Sequence, residues 1–374
     1  LDFTVDAKGS RLRLTALFDK IPVGNLELAR KGDGYAGGGV MFGTKVTATM
    51  QRPPAKPSRE PRTLSYDPTQ YHPLTSAAPN PVLHLVSGDI VRTQTIDPYG
   101  QDEHDVPSSM PGNPGTGPFH VEGALPGDTV AIKLLKVRTN RPTARMFLTL
   151  DPATMVPGTV QKPGVMTDYI WSLDPSTNSA APRSPSEKLK NFRVQMRPML
   201  GVISVALSGG QAVPNRELGE WGGNMDYAEM REGVTLYLPV WHTGALIFLG
   251  DAHARQAHGE VAGQGLETSM DVEFQVTLIK NQILTQPWAE NADYVMVSGI
   301  AGSMQGALQR ATTGLSTWLK RTYQLDDSEV AVVLGSSLEY DVAEVVSAKF
   351  HIVAKVRKDV LALIAPVARA ETGK

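Results

Sequence analysis

Residues 1 to 51 alternate polar and apolar positions with a period of two. The runs RLRLTAL, GNLELAR and TKVTATMQ each put their apolar side chains on one face, which predicts short strands, and KGDGYAGGG and FG between them read as glycine-rich turns. The Pro-rich, charged stretch QRPPAKPSREPRT breaks this pattern. It reads as a linker with a boundary near residue 60, setting a small accessory β domain over 1–60 apart from a main body over 61–374.

From residue 81 the pattern becomes strand, turn, strand. PVLHLV, SGD and IVRTQTID form one such passage, and FHVEGAL, PGD and TVAIKLLKV another, so both are expected to be hairpins of one sheet system closed by a Gly-Asp turn. Between them, PYGQDEHDVPSSMPGNPGTG is a long polar loop of the kind that serves a site. DPSTNSAAPRSPSEK, over 174–188, reads as a solvated insertion. FRVQM, GVISVAL, VTLYLPV, ALIFLGDAH and DVEFQVTLI are further strands.

Helical spacing is clear in one place. Met304, Leu308, Ala311, Leu315, Trp318 and Leu319 recur on one stripe with Ser303 as N-cap, and a second helix is expected to start at Asp326, Asp327 or Ser328. The expected class is β-dominated α+β: a sandwich- or barrel-like body with a few helices, plus the small N-terminal β unit.

Composition narrows the function. With Lys+Arg 36 against Asp+Glu 38, a net charge of −2 argues against nucleic acid or an anionic membrane as the main partner. No run of about 18 apolar residues is present to span a bilayer. Cysteine is absent, which excludes disulfides, thiolate metal sites and a cysteine nucleophile. The chain opens at Leu1 directly on a patterned segment, as an exported protein does after removal of its signal peptide. A periplasmic or secreted location is the expectation, with the cytoplasm as the alternative.

The chemistry concentrates in FLGDAHARQAHGEVAGQGLETSMDVEF, which carries Asp251, His253, His258, Glu260 and Glu267 in a chain with 8 His. If ALIFLGDAH is a strand, Asp251 and His253 project together at its end, a carboxylate and an imidazole suited to a divalent metal. The same pair has a structural reading, with Asp fixing the His tautomer. Asp97 ends another strand, Gln101, His104 and Asp105 lie in the long loop, and His120 and Glu122 share a strand face. His72, His84, His242 and His351 show no partner pattern and are read as surface or satisfied interior residues. No G-x-S-x-G, P-loop or H-E-x-x-H template is present, and no G-x-G-x-x-G opens a helix after a strand.

Taken together, these words resemble the acetamidase/formamidase family of amide hydrolases. Gly250, Asp251, His253, Ala254, Gln256, Gly259, Glu260, Leu266 and Glu267 match its G-D-x-H-A-x-Q-G-D-G-E…A-I-E signature. VSGDIVRTQTIDPYGQ, TGPFHVEGALPGDTV and WGGNMDYAEMREGVTLYLPVWHTGALIFLGD are similar to other family blocks, in family order from about residue 70 to 360. Ala257 and His258 stand where the family has Gly-Asp, and the first 60 residues lie outside the resemblance.

The resemblance implies hydrolysis of the C–N bond of a small linear amide, such as formamide or acetamide, to carboxylate and ammonia. Without cysteine or a recognisable activated serine, a divalent ion that activates water and polarises the carbonyl is the economical route. The expected ligands are Asp97, Asp251 and His253, holding zinc, with iron or manganese also suited to carboxylates. Glu260 is expected to be the base, Glu122 or Gln256 to orient substrate, Asp226 to support the site from behind, and His258 to act as a fourth ligand or proton relay. A homo-oligomer fits the family. The rivals are a hydrolase of larger amides, carbamates or cyclic imides, and a non-catalytic carbohydrate- or peptide-binding β protein.

Overall fold

A computed structural model describes residues 2–365 except 9, 32–33, 52–57 and 160–168. The chain divides into two compact units, Leu1–Ser58 and Arg59–Lys374. Residues 52–57 of the expected linker lie outside the described residues.

The first unit is a 5-stranded antiparallel meander of Asp2–Lys8, Arg11–Phe18, Ile21–Lys31, Gly34–Met41 and Thr44–Gln51. Period-two alternation buries Leu14, Ala16, Leu26 and Leu28 together. The glycine-rich stretch expected as a turn is instead the fourth strand. A Cβ at Gly37 or Gly39 would collide with the backbone carbonyl of Glu27 or Asn25, so these glycines let two strands lie unusually close.

The second unit is built on two large sheets, one 11-stranded and one 9-stranded, with a shared apolar core. The first is centred on Ile247–His253, flanked by Met199–Val205 and Glu267–Thr268. In the second, Thr129–Thr139 lies between Thr235–Pro239 and Met270–Ile279, and Phe350–Arg357 lies between Glu339–Glu344 and Tyr294–Ala301. Phe119, Ile203 and Leu249 from one sheet meet Val130, Leu236 and Phe274 from the other, all essentially inaccessible to solvent. The strand path of each sheet is open, so the barrel-like alternative gives way to two layers.

The two expected hairpins are corners between sheets. Leu83–Leu85 pairs in parallel with Thr116–Val121 in the 11-stranded sheet, whereas Ile90–Thr95 and Thr129–Thr139 belong to the 9-stranded one. The Gly-Asp word works the same way in both. Asp89 accepts from the Val86 amide at 2.8 Å and Asp128 from the Leu125 amide at 2.9 Å, each three residues back, which locks the turn. Burial raises the Asp89 pKa, but Arg59 and the amides of Arg62 and Val86 outweigh it and hold the carboxyl below its usual range. The expected insertion over 174–188 is also ordered, forming the antiparallel pair Tyr169–Asp174 and Ser179–Pro182, because Asp174 caps the turn through Ser176 and Thr177.

Helix α1 (Met304–Tyr323) starts at Ser303, whose side chain accepts from the Gly306 amide, and buries Ala311, Leu315 and Leu319 against Val295, Val297, Ala354 and Val356. Helix α2 (Asp327–Ser337) starts in a capping box between Asp326 and Glu329. Among the described residues, no helix is long and apolar enough to cross a membrane.

Candidate active site

Backbone pairing builds the site. His253 ends the fully buried strand Ile247–His253 and is the register partner of Glu267 on the neighbouring strand, so the two side chains leave one face together. Nε2 of His253 lies 2.9 Å from Glu267 Oε2, 3.5 Å from Asp251 Oδ1 and 3.9 Å from Asp226 Oδ1. Ligand atoms of Asp226, His253 and Glu260 form one close group, and those of Asp251, His253 and Glu267 another. Glu344 arrives from the 9-stranded sheet, where Gly259 bridges to it and donates to Val342 O at 2.8 Å.

Every donor is buried. Asp226, Asp251, His253, Glu260, Glu267 and Glu344 are each at most 6% exposed. Asp226, Asp251 and Glu260 also sit on left-handed backbone, at φ 39°, 52° and 49°. Each costs about 1–3 kcal/mol in a non-glycine residue, and such strain concentrates at functional sites.

Gln256 fixes the imidazole. Its amide nitrogen donates to the Asp226 and Ala343 carbonyls, so its Oε1 accepts from His253 Nδ1 at 2.8 Å. That leaves the Nε2 lone pair aimed at the carboxylates. Other polar groups hold those: Asn113 donates to Asp251 Oδ2 at 2.9 Å and to Asn224 Oδ1 at 2.7 Å, Asn224 in turn donates to Asp226, and the Gly265 amide donates to Glu267 Oε1 at 2.9 Å. Of the inner atoms, Asp226 Oδ1 and Glu344 Oε2 have no hydrogen-bond partner, and His253 Nε2 and Glu267 Oε2 have none beyond the contact they make with each other. Two glycines leave room. A Cβ at Gly201 would overlap Asp226 Oδ1 and Asp251 Oδ2, and one at Gly265 would overlap the His253 ring.

So many carboxylates cannot all be ionised in a dry site without a balancing charge. Burial raises the Asp226 pKa well above its ordinary value, reinforced by Glu260 and Asp251. Burial likewise raises Glu260, against the pull of His253. It pushes Glu267 up to about 7 despite His253, and Glu344 up to about 7 despite the hydrogen bonds from Ser347. For His253 burial opposes the charged form, yet Glu267 and Asp251 outweigh it and raise its pKa well above the ordinary value. The cluster demands positive charge at its centre. One imidazole nitrogen and several carboxylate oxygens, oriented from behind and unpartnered in front, fit a divalent cation.

The expected site residues divide. Asp251, His253 and Glu260 come together, and Asp226 stands in the inner cluster rather than behind it. Asp97 is engaged elsewhere: it is fully buried against Arg141 at 2.7 Å and accepts from the Tyr99 and Gln101 amides, and the carboxylate beside His253 Nε2 is that of Glu267. Arg141 also approaches the Glu267 carbonyl at 3.5 Å, which makes Asp97 an anchor of the site's frame. Gln256 orients His253 instead of facing outward to substrate. Glu122 is half-exposed beside His120 and Arg59, and His258 is exposed, so neither joins the cluster. The long loop does serve the site, through Asn113.

Glu267 stood in the sequence only as a member of the acid-rich stretch and of the family signature, since its pairing with His253 appears only in the fold, and Glu344 and Gly201 carried no signal because their neighbours are distant in the chain.

Comparison with known proteins places this arrangement. The family model described as Acetamidase/Formamidase family matches residues 202–307, a stretch holding Asp226, Asp251, His253, Glu260 and Glu267. The fold is similar to that of a predicted acetamidase/formamidase from Thermoanaerobacter tengcongensis, at 25% identity and a TM-score of 0.70 over 81% of this chain and 98% of the other. It is also similar to the acetamidase of Yersinia enterocolitica, at 26% identity and a TM-score of 0.69 over 81% of this chain and 94% of the other. A predicted formamidase of Schizosaccharomyces pombe is 33% identical over 81 residues, 21% of this chain and 19% of that protein. The match therefore spans about a fifth of that curated relative. Family words, matched segment and fold agree in likeness: over residues 202–307 and in its fold, the chain is similar to members of the acetamidase/formamidase family.

Proposed function

We propose that the buried cluster hydrolyses the C–N bond of a small linear amide, formamide or acetamide in type, with the aid of a divalent cation held by His253, Asp251, Glu267 and Asp226. One observation carries the reading: His253 Nε2, Glu267 Oε2 and Asp226 Oδ1 converge in a buried site with no hydrogen bonds outside the cluster. Zinc is the first ion to test, then manganese and iron, since carboxylate-rich donor sets suit all three.

When bound, such an ion supplies Lewis acidity, polarising a carbonyl oxygen and lowering the pKa of water. The chain's own groups do the rest. Glu260, whose carboxyl burial makes more basic, is suited to take a proton from water and deliver it to the departing nitrogen. Gln256, Asn113, Asn224 and the Gly265 amide hold their partners in place, so little reorganisation is needed during reaction. Burial of every donor restricts the reacting group to something small, which favours a short amide over a larger one.

The test is ammonia release from formamide, acetamide and longer amides, beside a carbamate and a cyclic imide, after loading with each metal. Turnover confined to the short amides in metal-loaded protein supports the reading. Turnover of none of them, with metal bound, overturns it.

A further inference from the structure

One side-chain amide ties together two carboxylates of the cluster that stand on different elements. Asn113 Nδ2 donates to Asp251 Oδ2 at 2.9 Å and to Asn224 Oδ1 at 2.7 Å, and Asn224 donates onward to Asp226. Both N–H bonds of Asn113 are thereby committed, so the spacing of Asp251 and Asp226 depends on where Asn113 stands. Its backbone is left-handed, at φ 56°, in a loop with no strand or helix between Thr95 and Thr116.

Asn215 holds that position from outside the loop. Its Nδ2 donates to the Asn113 carbonyl at 2.9 Å and to the His72 carbonyl at 2.7 Å, and its Oδ1 accepts from Thr75 Oγ1 at 2.8 Å. Thr75 has one hydroxyl proton and gives it to Asn215, so in the 2.6 Å contact between Thr75 and Ser204 the donor is Ser204. The chain therefore runs one way, from Ser204 through Thr75 and Asn215 to Asn113, and its first three members are at most 1% exposed. Ser204 lies on Met199–Val205, the strand paired with Ile247–His253, which ties the loop to the sheet that carries Asp251 and His253. Two glycines allow the close approach. A Cβ at Gly250 would lie 3.0 Å from the Pro114 carbonyl oxygen, and one at Gly115 would lie 3.1 Å from Asn215 Nδ2.

We propose, resting on the reading of the cluster as a cation-holding amidase site, that Asn215 is a positioning residue: acting through Asn113, it sets where Asp251 and Asp226 stand relative to His253. Among the described residues Asn215 has no hydrogen bond to a carboxylate or imidazole of the cluster. Its effect on the site therefore passes through Asn113 and disappears once the Asn113 side chain is gone. A residue that only supported the fold would act whether or not that side chain was present.

Asn215→Leu keeps the volume and removes both N–H bonds. Zinc affinity of the full-length chain, measured by competition with a zinc-binding dye, should fall at least about tenfold, the lower end of the range for groups that orient a metal ligand. At saturating zinc the loss for formamide should appear in kcat rather than in KM. The double variant with Asn113→Ala should bind zinc no more weakly than Asn113→Ala alone. Thr75→Val, a smaller change that serves if Asn215→Leu does not fold, should weaken zinc binding in the same direction, and Thr75→Ser should restore it. Equal zinc affinity in the parent chain, Asn215→Leu and Thr75→Val, or losses that multiply in the double variant, overturn the proposal. The zinc pattern without ammonia release counts against the amidase reading alone, and a parent chain that binds no zinc removes the cation on which both rest.

Discussion

Nε2 of His253 faces Oε2 of Glu267 at 2.9 Å, with Gln256 holding the proton of the imidazole on Nδ1. Two lone pairs do not settle at that distance in a dry interior unless a positive charge lies between them. In the metal-free chain a proton fills the role, which is why Glu267 and Asp251 raise the His253 pKa against burial. In the proposed enzyme a cation does.

Gln256→Ala removes the acceptor that sets the His253 tautomer. Groups that orient a ligating histidine typically contribute about 10- to 100-fold in metal affinity or activity. Zinc affinity and kcat/KM for formamide should fall together by about that range, with thermal stability changed much less than activity. Competition with a zinc-binding dye measures the first and ammonia release the second.

Gly201→Ala tests the space in front of the carboxylates. The added Cβ would overlap Asp226 Oδ1 and Asp251 Oδ2, so those side chains must turn away. Activity should drop by at least about tenfold, the scale of a displaced catalytic group, and bound metal with it. Metal content per folded molecule is the readout.

Asp97→Ala separates frame from site. Asp97 and Arg141 form a fully buried ion pair, and removing one partner strands the other charge at a cost of about 3–5 kcal/mol. Urea unfolding should show a loss of that size, while the molecules that remain folded bind metal as before. A ligand role for Asp97 would reverse the two effects.

Much of this was legible in the chain, and the failures have physical causes. An apolar run rich in β-branched and aromatic residues located the strand Ile247–His253, and two-residue spacing put Asp251 and His253 in one cluster. The α1 helix and its Ser303 cap were equally plain, because helix signals are local. Met304 and Leu308 of the expected stripe are nonetheless exposed, and the buried face is Ala307, Ala311, Leu315 and Leu319. Gly-Asp turns were recognised but not their use as corners, since a turn looks alike whether its flanking strands pair with each other or join different sheets. Asp97 looked like a ligand because its partner, Arg141, is 44 residues on. Glu344 enters from the other sheet, and only tertiary pairing of Gly259 with it reveals that.

A pH prediction concerns His351. Fully buried, with Nδ1 on the Met225 carbonyl at 2.6 Å and Nε2 on Ser298 at 2.9 Å, it is pushed by burial down to about 4, partly offset by the Met225 bond. A group whose folded pKa is depressed in this way favours its neutral form in the fold. Its contribution is therefore complete above the unfolded value of about 6.5 and is lost as pH falls toward 4, by roughly 3 kcal/mol in all. The buried carboxylates with raised pKa values act in the opposite direction, so the comparison must be made against His351→Gln. Between pH 7 and pH 4.5 the parent chain should lose more stability than the variant in urea unfolding. Equal slopes would show that His351 does not titrate as the fold requires.

The account rests on a cation at the centre of the cluster. An anomalous difference map from zinc-loaded crystals, recorded on either side of the zinc edge, tests it most directly. The predicted result is a peak within coordination distance of His253 Nε2, Asp251 and Glu267 that vanishes in His253→Ala. Amide turnover by crystals or solutions of the same protein with no peak at that position would contradict the account.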